Sequence, residues 1–355
     1  MKKPIIGITM GDPAGIGSEI IVKALSYPSI LNQATPIVFG NKEVIKDAIR
    51  FVPSNLEINE INSIKDAKNK YGIIDLYNFN NIKINDFKYG EINSKAGKAC
   101  IEYIFSAIEY AKSGKLDAVV TGPINKESIN KAGYKYSGHT EIFAEKTNTN
   151  DYSMMLADKD MKVIHVSTHV SLRNACDLVK KDRVLTVIKL AQRALIELGI
   201  NNPKIAVSGL NPHAGEQGLF GTEEIEEILP AIEEAKNNGL NVEGPISPDT
   251  IFSKVIGGQY DIAVVMYHDQ GHIPMKVTGF KYDNQTKQWS SMSGVNATIG
   301  LPIIRTSVDH GTAYDKAGEG RANEESMIEA IKMAVQFSNN KANNKKEEIK
   351  YESSL

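Results

Sequence analysis

Cysteine is nearly missing from this sequence: 355 residues contain only Cys100 and Cys176. Two thiols give no disulfide framework and no Cys-x-x-Cys zinc knuckle, and they fit a reducing cytoplasm. An excess of either charge is missing too. The 41 Lys and Arg stand against 43 Asp and Glu, a formal net charge of -2, so no basic face argues for nucleic acid or anionic membrane. No apolar run nears the ~18 residues of a membrane span. The opening "MKKPIIGITM" breaks at Gly11-Asp12-Pro13, too early for a signal-peptide core and cleavage site, and reads as a first β-strand and its turn. A dinucleotide fingerprint is absent as well. "GDPAGIGSE" (Gly11–Glu19) spaces its glycines Gly-x-x-x-Gly-x-Gly rather than Gly-x-Gly-x-x-Gly, and a tight strand-to-helix turn explains it.

Hydrophobic residues make up 41% of the chain, enough for a sizeable core, and the length suits two domains or one large α/β unit. Short β-rich runs recur at Pro4–Met10, Thr35–Gly40, Asp117–Pro123, Lys162–His169, Lys204–His213 and Asp261–His268, each followed by polar, Gly-rich or Pro-rich residues. Apolar residues at helical spacing run from Ala96 to Lys112 and from Val184 to Leu198. A further helix, Glu223 to Asn238, has Thr222 as a candidate N-cap and acidic residues in its first turn. Apolar strands alternating with helices predict an α/β protein with a largely parallel sheet. The polar insert "KYDNQTKQWSSMS" (Lys281–Ser293) reads as a surface loop or hairpin, and the charged tail from Asn339 as a frayed helix end or disorder.

Three of the seven histidines stand at equivalent places: His169, His213 and His268 each follow a buried β run. Ligands gather at the carboxyl ends of strands in parallel sheets. Three imidazoles with an open position suit a catalytic Zn, Co, Ni or Fe. Each histidine could equally be a lone polar loop residue, and without HExxH or CxxC the spacing leaves both readings open. His165 lies inside its strand and reads as a satisfied core histidine, while His272 falls on the loop after His268. Asp269 either orients an imidazole or caps a turn. "NPHAGEQGLFGTEE" (Asn211–Glu224) joins one candidate ligand to a helix N-terminus where an anion could rest, or is a loop whose glycines serve turns.

Taken together, "GDPAGIGSE", "VVTGPINK", "SGHTE", "STHVSLR", "GLNPHAGEQG", "SPDT", "MYHDQGHIPMK" and "GLPIIRTSVDHGTA" run in order from Gly11 to Ala313. In these motifs the chain resembles the 4-hydroxythreonine-4-phosphate dehydrogenase family of pyridoxal phosphate biosynthesis, over nearly its whole length. Relatives acting on threonate or erythronate phosphates share the same signatures. The resemblance implies a two-domain α/β/α fold of the isocitrate/isopropylmalate-dehydrogenase-like class, not a Rossmann fold. Residues 1–130 plus 306–340 would form the first domain with the NAD adenine loop, residues 131–305 the second with metal and substrate, and residues 341–355 a polar tail. It implies His169, His213 and His268 as metal ligands, and His139, Thr140, Lys276, Asn296 and Arg305 as substrate contacts. Arg and Lys there suit an anionic substrate, although each alone would more often be a solvated surface charge. "DHGTAYDKAGEGRAN" (Asp309–Asn323) is similar to the adenine loop of β-decarboxylating dehydrogenases, which implies His310, Gly311, Ala313 and Asn323 as cofactor contacts.

The expected chemistry is NAD- or NADP-dependent oxidation of 4-phosphohydroxy-L-threonine at C3, assisted by one divalent metal (Zn, Mg, Co or Mn). The β-keto product, 2-amino-3-oxo-4-phosphooxybutanoate, then loses carbon dioxide to give 3-amino-2-oxopropyl phosphate. Asp249 and Asp269 are the candidates for the base or its orienting partner. A homodimer with shared sites, no nucleic acid and no membrane complete the expectation. The rival readings are a dehydrogenase of threonate or erythronate 4-phosphate, and a non-catalytic metal- or nucleotide-binding protein. In better-known relatives the link at the Lys281–Ser293 insert is very short; here it either loops away from the cleft or folds over it.

Overall fold

Two contact units divide the chain: Met1–Asn150 with Leu301–Leu355, and Asp151–Gly300. The computed structural model describes residues 3–279, 282–284, 288–289 and 293–352. In chain order the first unit has strands β1 (Ile5–Thr9), β2 (Thr35–Gly40), β3 (Glu57–Ile61), β4 (Ile73–Asn78) and β5 (Ala118–Thr121). Its helices are α1 (Gly17–Leu25), α2 (Pro28–Gln33), α3 (Lys42–Phe51), α4 (Ser94–Lys112), α5 (Lys126–Lys131) and α6 (His139–Lys146). The second unit follows with β6 (Ser153–Asp158), β7 (Met161–His165), α7 (Leu172–Asp177), α8 (Lys181–Glu197), β8 (Ile205–Ser208) and α9 (Leu229–Asn237). It continues with β9 (Val242–Ile246), α10 (Pro248–Ile256), β10 (Ile262–Val265), α11 (His268–Gly279), β11 (Tyr282–Asp283), β12 (Gln288–Trp289) and β13 (Val295–Ile299). β14 (Ile304–Val308) and α12 (Glu325–Glu352) return to the first unit.

The first unit orders its strands β3-β4-β2-β1-β5-β14, all parallel. Every residue of β5 is buried, so helices cover both faces, as the unbroken apolar run predicts. α4 packs on β1, β2 and β5, while α12 packs on β14, β5 and β1. Two glycines make the turn after β1 possible. Gly11 has φ +77°, and a Cβ on Gly17 would stand 2.0 Å from the Met10 carbonyl oxygen. "GDPAGIGSE" is therefore a close strand-to-helix turn, as its spacing indicates.

The second unit orders β13-β6-β7-β10-β8-β9. β7, β10, β8 and β9 are parallel, and β13, β6 and β7 antiparallel, so one part departs from the expected parallel pattern. Met154, Leu156, Val163, Ile251, Val265 and Met275 form a core that seats α10 and α11 on these strands. The α/β class without a Rossmann turn holds.

Some details differ from the sequence reading. The unit boundaries fall after residues 150 and 300 rather than 130 and 305, because α6 packs on α4 and β14 pairs with β5. The helix expected from Glu223 opens as a π-turn over Glu224–Ile228, where Pro230 has no N–H to continue a regular ladder. The polar tail continues α12 to Glu352, consistent with its Ala, Lys and Glu content. Within the insert, Tyr282 pairs with Trp289 and Asp283 with Gln288 in antiparallel fashion, a hairpin. Residues 281, 285–287 and 290–292 of that insert, and with them its relation to any site, lie outside the described residues.

Candidate active site

In the second unit β7 and β10 end side by side and place four histidines together. Val265 of β10 pairs with His165 of β7, and the chain after β10 enters α11 at His268. His165 is fully buried, and its Nδ1 lies 2.9 Å from the Met154 carbonyl, so Nδ1 carries the proton and donates. Burial first, then the neighbouring imidazoles, pushes its pKa down to about 3. Its Nε2 is buried with no hydrogen-bond partner among the described residues, so the core histidine of the sequence reading is satisfied at one nitrogen only. A Cβ on Gly271 would stand 2.6 Å from that Nε2, which shows how closely α11 passes over the end of β7.

His268 and His272, one helical turn apart on α11, stack with ring centroids 3.6 Å apart and planes 10° apart. His272 also approaches His165, at 4.9 Å, so it belongs to the cluster and not to a loop. His268 Nδ1 stands 2.6 Å from Asp269 Oδ1, so Asp269 orients an imidazole and leaves Nε2 available as a ligand. The His169 ring lies 5.9 Å from that of His268. Both border a pocket of about 280 Å³ that Tyr267, Asp269, Val170 and Leu172 also line. Lys276 is half-buried two turns along α11, and Asn296, on β13, has a buried Oδ1 with no hydrogen-bond partner among the described residues.

His213 is not among the residues that line this pocket. Among the described residues no three His, Cys, Asp or Glu side chains form a group able to hold a metal ion. His213 is exposed and helps, after the Ser247 hydroxyl, to hold the Asp249 carboxyl below its usual pKa. It sits in an unusual turn. His213, Ala214, Gly215, Glu216 and Gln217 have φ of 53°, 54°, 81°, 44° and 59°, a left-handed stretch in which only Gly215 lacks a Cβ. Each such residue with a Cβ costs about 1–2 kcal/mol. Strain of this kind persists where the surroundings enforce it, and clusters at functional sites. His169 and His268 thus fit two positions around a divalent ion, by donor chemistry and by a shared pocket, and the third expected ligand does not line that pocket.

The first unit gathers the other anion-binding candidates. Arg305 of β14 is 3% exposed; its Nη2 donates to Thr121 Oγ1 at 2.8 Å, and its guanidinium lies 5.6 Å from the Phe143 ring centre. Burial pulls its pKa down to about 9, against the opposing pull of Glu141. An arginine stays protonated at that value near neutral pH, so Arg305 is a buried cation. His139 opens α6, with Thr140 buried beside it. Burial, then the Arg305 charge, drives the His139 pKa well below its ordinary value, so the ring is neutral. Its Nε2 is buried and has no hydrogen-bond partner among the described residues.

The cofactor-loop candidates rest on the turn after β1. Ile16 N–H donates to the Thr312 carbonyl at 3.1 Å, and the Tyr314 hydroxyl to Asp12 Oδ2 at 2.9 Å. Ala313, between them, is held at φ 42°. His310 Nδ1 bonds the Gly311 carbonyl at 3.0 Å, Gly311 is exposed with open space where a Cβ would point, and Asn323 Oδ1 accepts from Glu325 N–H at 2.9 Å ahead of α12. The backbone at Gly311 is open, while the His310 Nε2 is buried. Sequence reasoning passed over Asp12, Tyr314 and Glu141, whose roles come from tertiary contacts, and placed His165 and His272 outside the site, though their spacing about His169 and His268 was visible.

Residues 32–334 match the family model described as "Pyridoxal phosphate biosynthetic protein PdxA". A Clostridium botulinum (strain Langeland) protein named "Putative D-threonate 4-phosphate dehydrogenase" is 48% identical over 337 residues, 95% of this chain and 98% of the relative. A protein of the same name from Oceanobacillus iheyensis is 48% identical over 341 residues, again 95% and 98%. A solved 4-hydroxythreonine-4-phosphate dehydrogenase from Klebsiella pneumoniae is 41% identical at TM-score 0.83, over 95% of this chain and all of that one. Another, from Burkholderia phymatum, is 41% identical at TM-score 0.80, over 95% of this chain and 99% of its own.

Proposed function

Because the chain belongs to the PdxA family of pyridoxal phosphate biosynthetic proteins, we propose that this dehydrogenase oxidises a phosphorylated four-carbon 3-hydroxy acid with NAD or NADP. The first substrate is 4-phosphohydroxy-L-threonine, giving 2-amino-3-oxo-4-phosphooxybutanoate, which decarboxylates to 3-amino-2-oxopropyl phosphate. The second is D-threonate 4-phosphate, favoured by the 48% identity to relatives named for it. The observation that carries the reading is the family match over residues 32–334, with the buried Arg305 placed near a neutral His139, two positions that the resemblance gives to the substrate.

In this reading Arg305 grips one anionic end through paired N–H donors, and His139 and Thr140 complete the grip. Lys276 and Asn296 hold the other polar groups of the acid. His310, Gly311, Ala313 and Asn323 seat the adenine end of the cofactor. Bound there, NAD or NADP would supply the acceptor for the C3 hydride, and a base would take the alcohol proton. Asp269 orients His268, which leaves Asp249 as the candidate base. Its lowered pKa makes Asp249 a weak base, so the alcohol must be acidified. A divalent ion bound by His169, His268 and His213 would supply that acidity by polarising the alcohol oxygen.

The third ligand would come from a second copy, in a homodimer. That His213 does not line the pocket of His169 and His268 supports this, as do apolar side chains left open around the pair. Leu172 is 61% exposed, and Ile273 and Val277, on one face of α11, are 60% and 72% exposed. A soluble protein covers such a patch in its assembly.

The test is NADH formation from both phosphorylated acids and from their unphosphorylated forms, with and without chelator. Turnover that needs the phosphate and is lost on chelation is expected. Binding of metal and NAD without turnover of either acid would favour a non-catalytic binding protein.

A further inference from the structure

The left-handed turn that presents His213 closes around one buried carboxylate. Glu224 is 3% exposed. Its Oε1 accepts from the Leu210 and Asn211 backbone N–H groups, each at 2.7 Å, and its Oε2 from Asn211 Nδ2 at 2.9 Å. A Cβ on Gly215 would stand 2.7 Å from Oε2, and one on Gly209 3.1 Å from Oε1. The carboxylate therefore occupies the inside of the turn, and the two glycines leave it room. Glu224 also opens the π-turn Glu224–Ile228, an irregularity frequent at functional sites. A chain with four Cβ-bearing residues in left-handed conformation relaxes unless held, and the backbone N–H groups of Leu210 and Asn211 at its entry both converge on Glu224.

We propose that Glu224 is a positioning residue: its buried carboxylate holds the strained turn 212–218 and so sets the direction in which His213 offers its imidazole. The inference rests on reading His213 as a metal ligand. Glu224 touches neither metal nor substrate; it acts by keeping the turn in its costly form before any ligand arrives.

Cobalt(II), titrated into metal-free dimer against a competing chelator, reads the effect without turnover, and amide hydrogen exchange reads the turn itself. In Glu224→Gln the shape stays but the charge-assisted bonds weaken. Cobalt affinity should fall about ten- to a hundredfold, the usual cost of losing an outer partner of a metal ligand. Exchange across residues 211–219 should speed up, and the dissociation constant for NAD should not move. Ala214→Gly, which relieves one left-handed residue and spares Glu224, should raise the melting temperature. Added to Glu224→Gln it should restore part of the cobalt affinity. Wild-type affinity and exchange in Glu224→Gln would overturn the proposal, as would a lower melting temperature in Ala214→Gly should Glu224→Gln fail to fold. The parent reading has its own control. If His213→Ala binds cobalt as tightly as wild type, His213 is not a ligand, and that reading fails whatever Glu224 does.

Discussion

Replacing Arg305 with methionine should separate binding from stability. The guanidinium is 3% exposed, and an effective desolvation cost of several kcal/mol accompanies a buried ion. Methionine removes that cost. It also removes the bond to Thr121, worth about 1 kcal/mol, and the charge interaction with the half-buried Glu141. These terms oppose each other, so the free protein should keep its stability within about 1 kcal/mol, or ~2–4 °C in melting temperature for a unit of this size. Binding has no such offset. One hydrogen bond between charged groups is worth roughly 1.5–3 kcal/mol, so the Michaelis constant for the phosphorylated acid should rise about ten- to a hundredfold. A thermal melt reports both. Substrate at ~100 times its dissociation constant adds about 2.7 kcal/mol to wild type, a rise of ~5–10 °C, and that rise should shrink by more than half in the variant. Arg305→Lys should keep the charge, lose the fork and fall between the two. A full ligand-induced rise in a variant whose free form melts well below wild type would make Arg305 a structural residue and refute the reasoning.

A metal shared between chains makes a directional complementation prediction. Heterodimers of His169→Ala with His213→Ala should regain one intact site, whereas His169→Ala with His268→Ala, whose partners share one pocket, should regain none; activity of co-purified heterodimers decides it. Tyr314→Phe removes the hydroxyl bond to Asp12 and loosens the loop at Ala313, so the Michaelis constant for NAD should rise while that for the acid stays, by initial-rate kinetics. Burial outweighs the Ala14 N–H and the Tyr314 hydroxyl and raises the Asp12 pKa above 3.8. The folded state thus holds that proton more tightly than the unfolded chain, and Asp12 penalises folding increasingly as pH rises from 3.8 to its raised value. The melting temperature of Asp12→Asn relative to wild type should therefore be more favourable near neutral pH than near pH 4, by scanning calorimetry.

The strand ends were legible because apolar runs stop where the chain leaves the core. That pattern located His169 and His268, and the glycine spacing of Gly11–Glu19 located the turn after β1. Other features were not legible. Nothing in "NPHAGEQG" announces five consecutive left-handed residues, since His213, Ala214, Glu216 and Gln217 avoid that conformation by themselves and adopt it only around Glu224. The alternation that placed His165 in the core carries no word of its unused Nε2 or of Gly271 passing over it. His139 and Arg305, far apart in sequence, are brought near each other through β14 pairing with β5 and α6 packing on α4. His213 shows the limit most plainly. Its place after β8 matched that of its two counterparts, yet it lies near Asp249 and does not line the pocket of His169 and His268.

Hydride transfer from C3 is the step on which the account depends, and isotopic labelling reads it directly. Phosphorylated acids carrying deuterium at C3, 4-phosphohydroxy-L-threonine and D-threonate 4-phosphate in turn, are incubated with the protein, NAD and a divalent metal, and the nicotinamide is analysed by mass spectrometry. Deuterated NADH formed in step with acid consumed is the predicted result for at least one of the two. No reduced cofactor from either acid, with NAD or NADP, in a folded and metal-loaded protein, would contradict it.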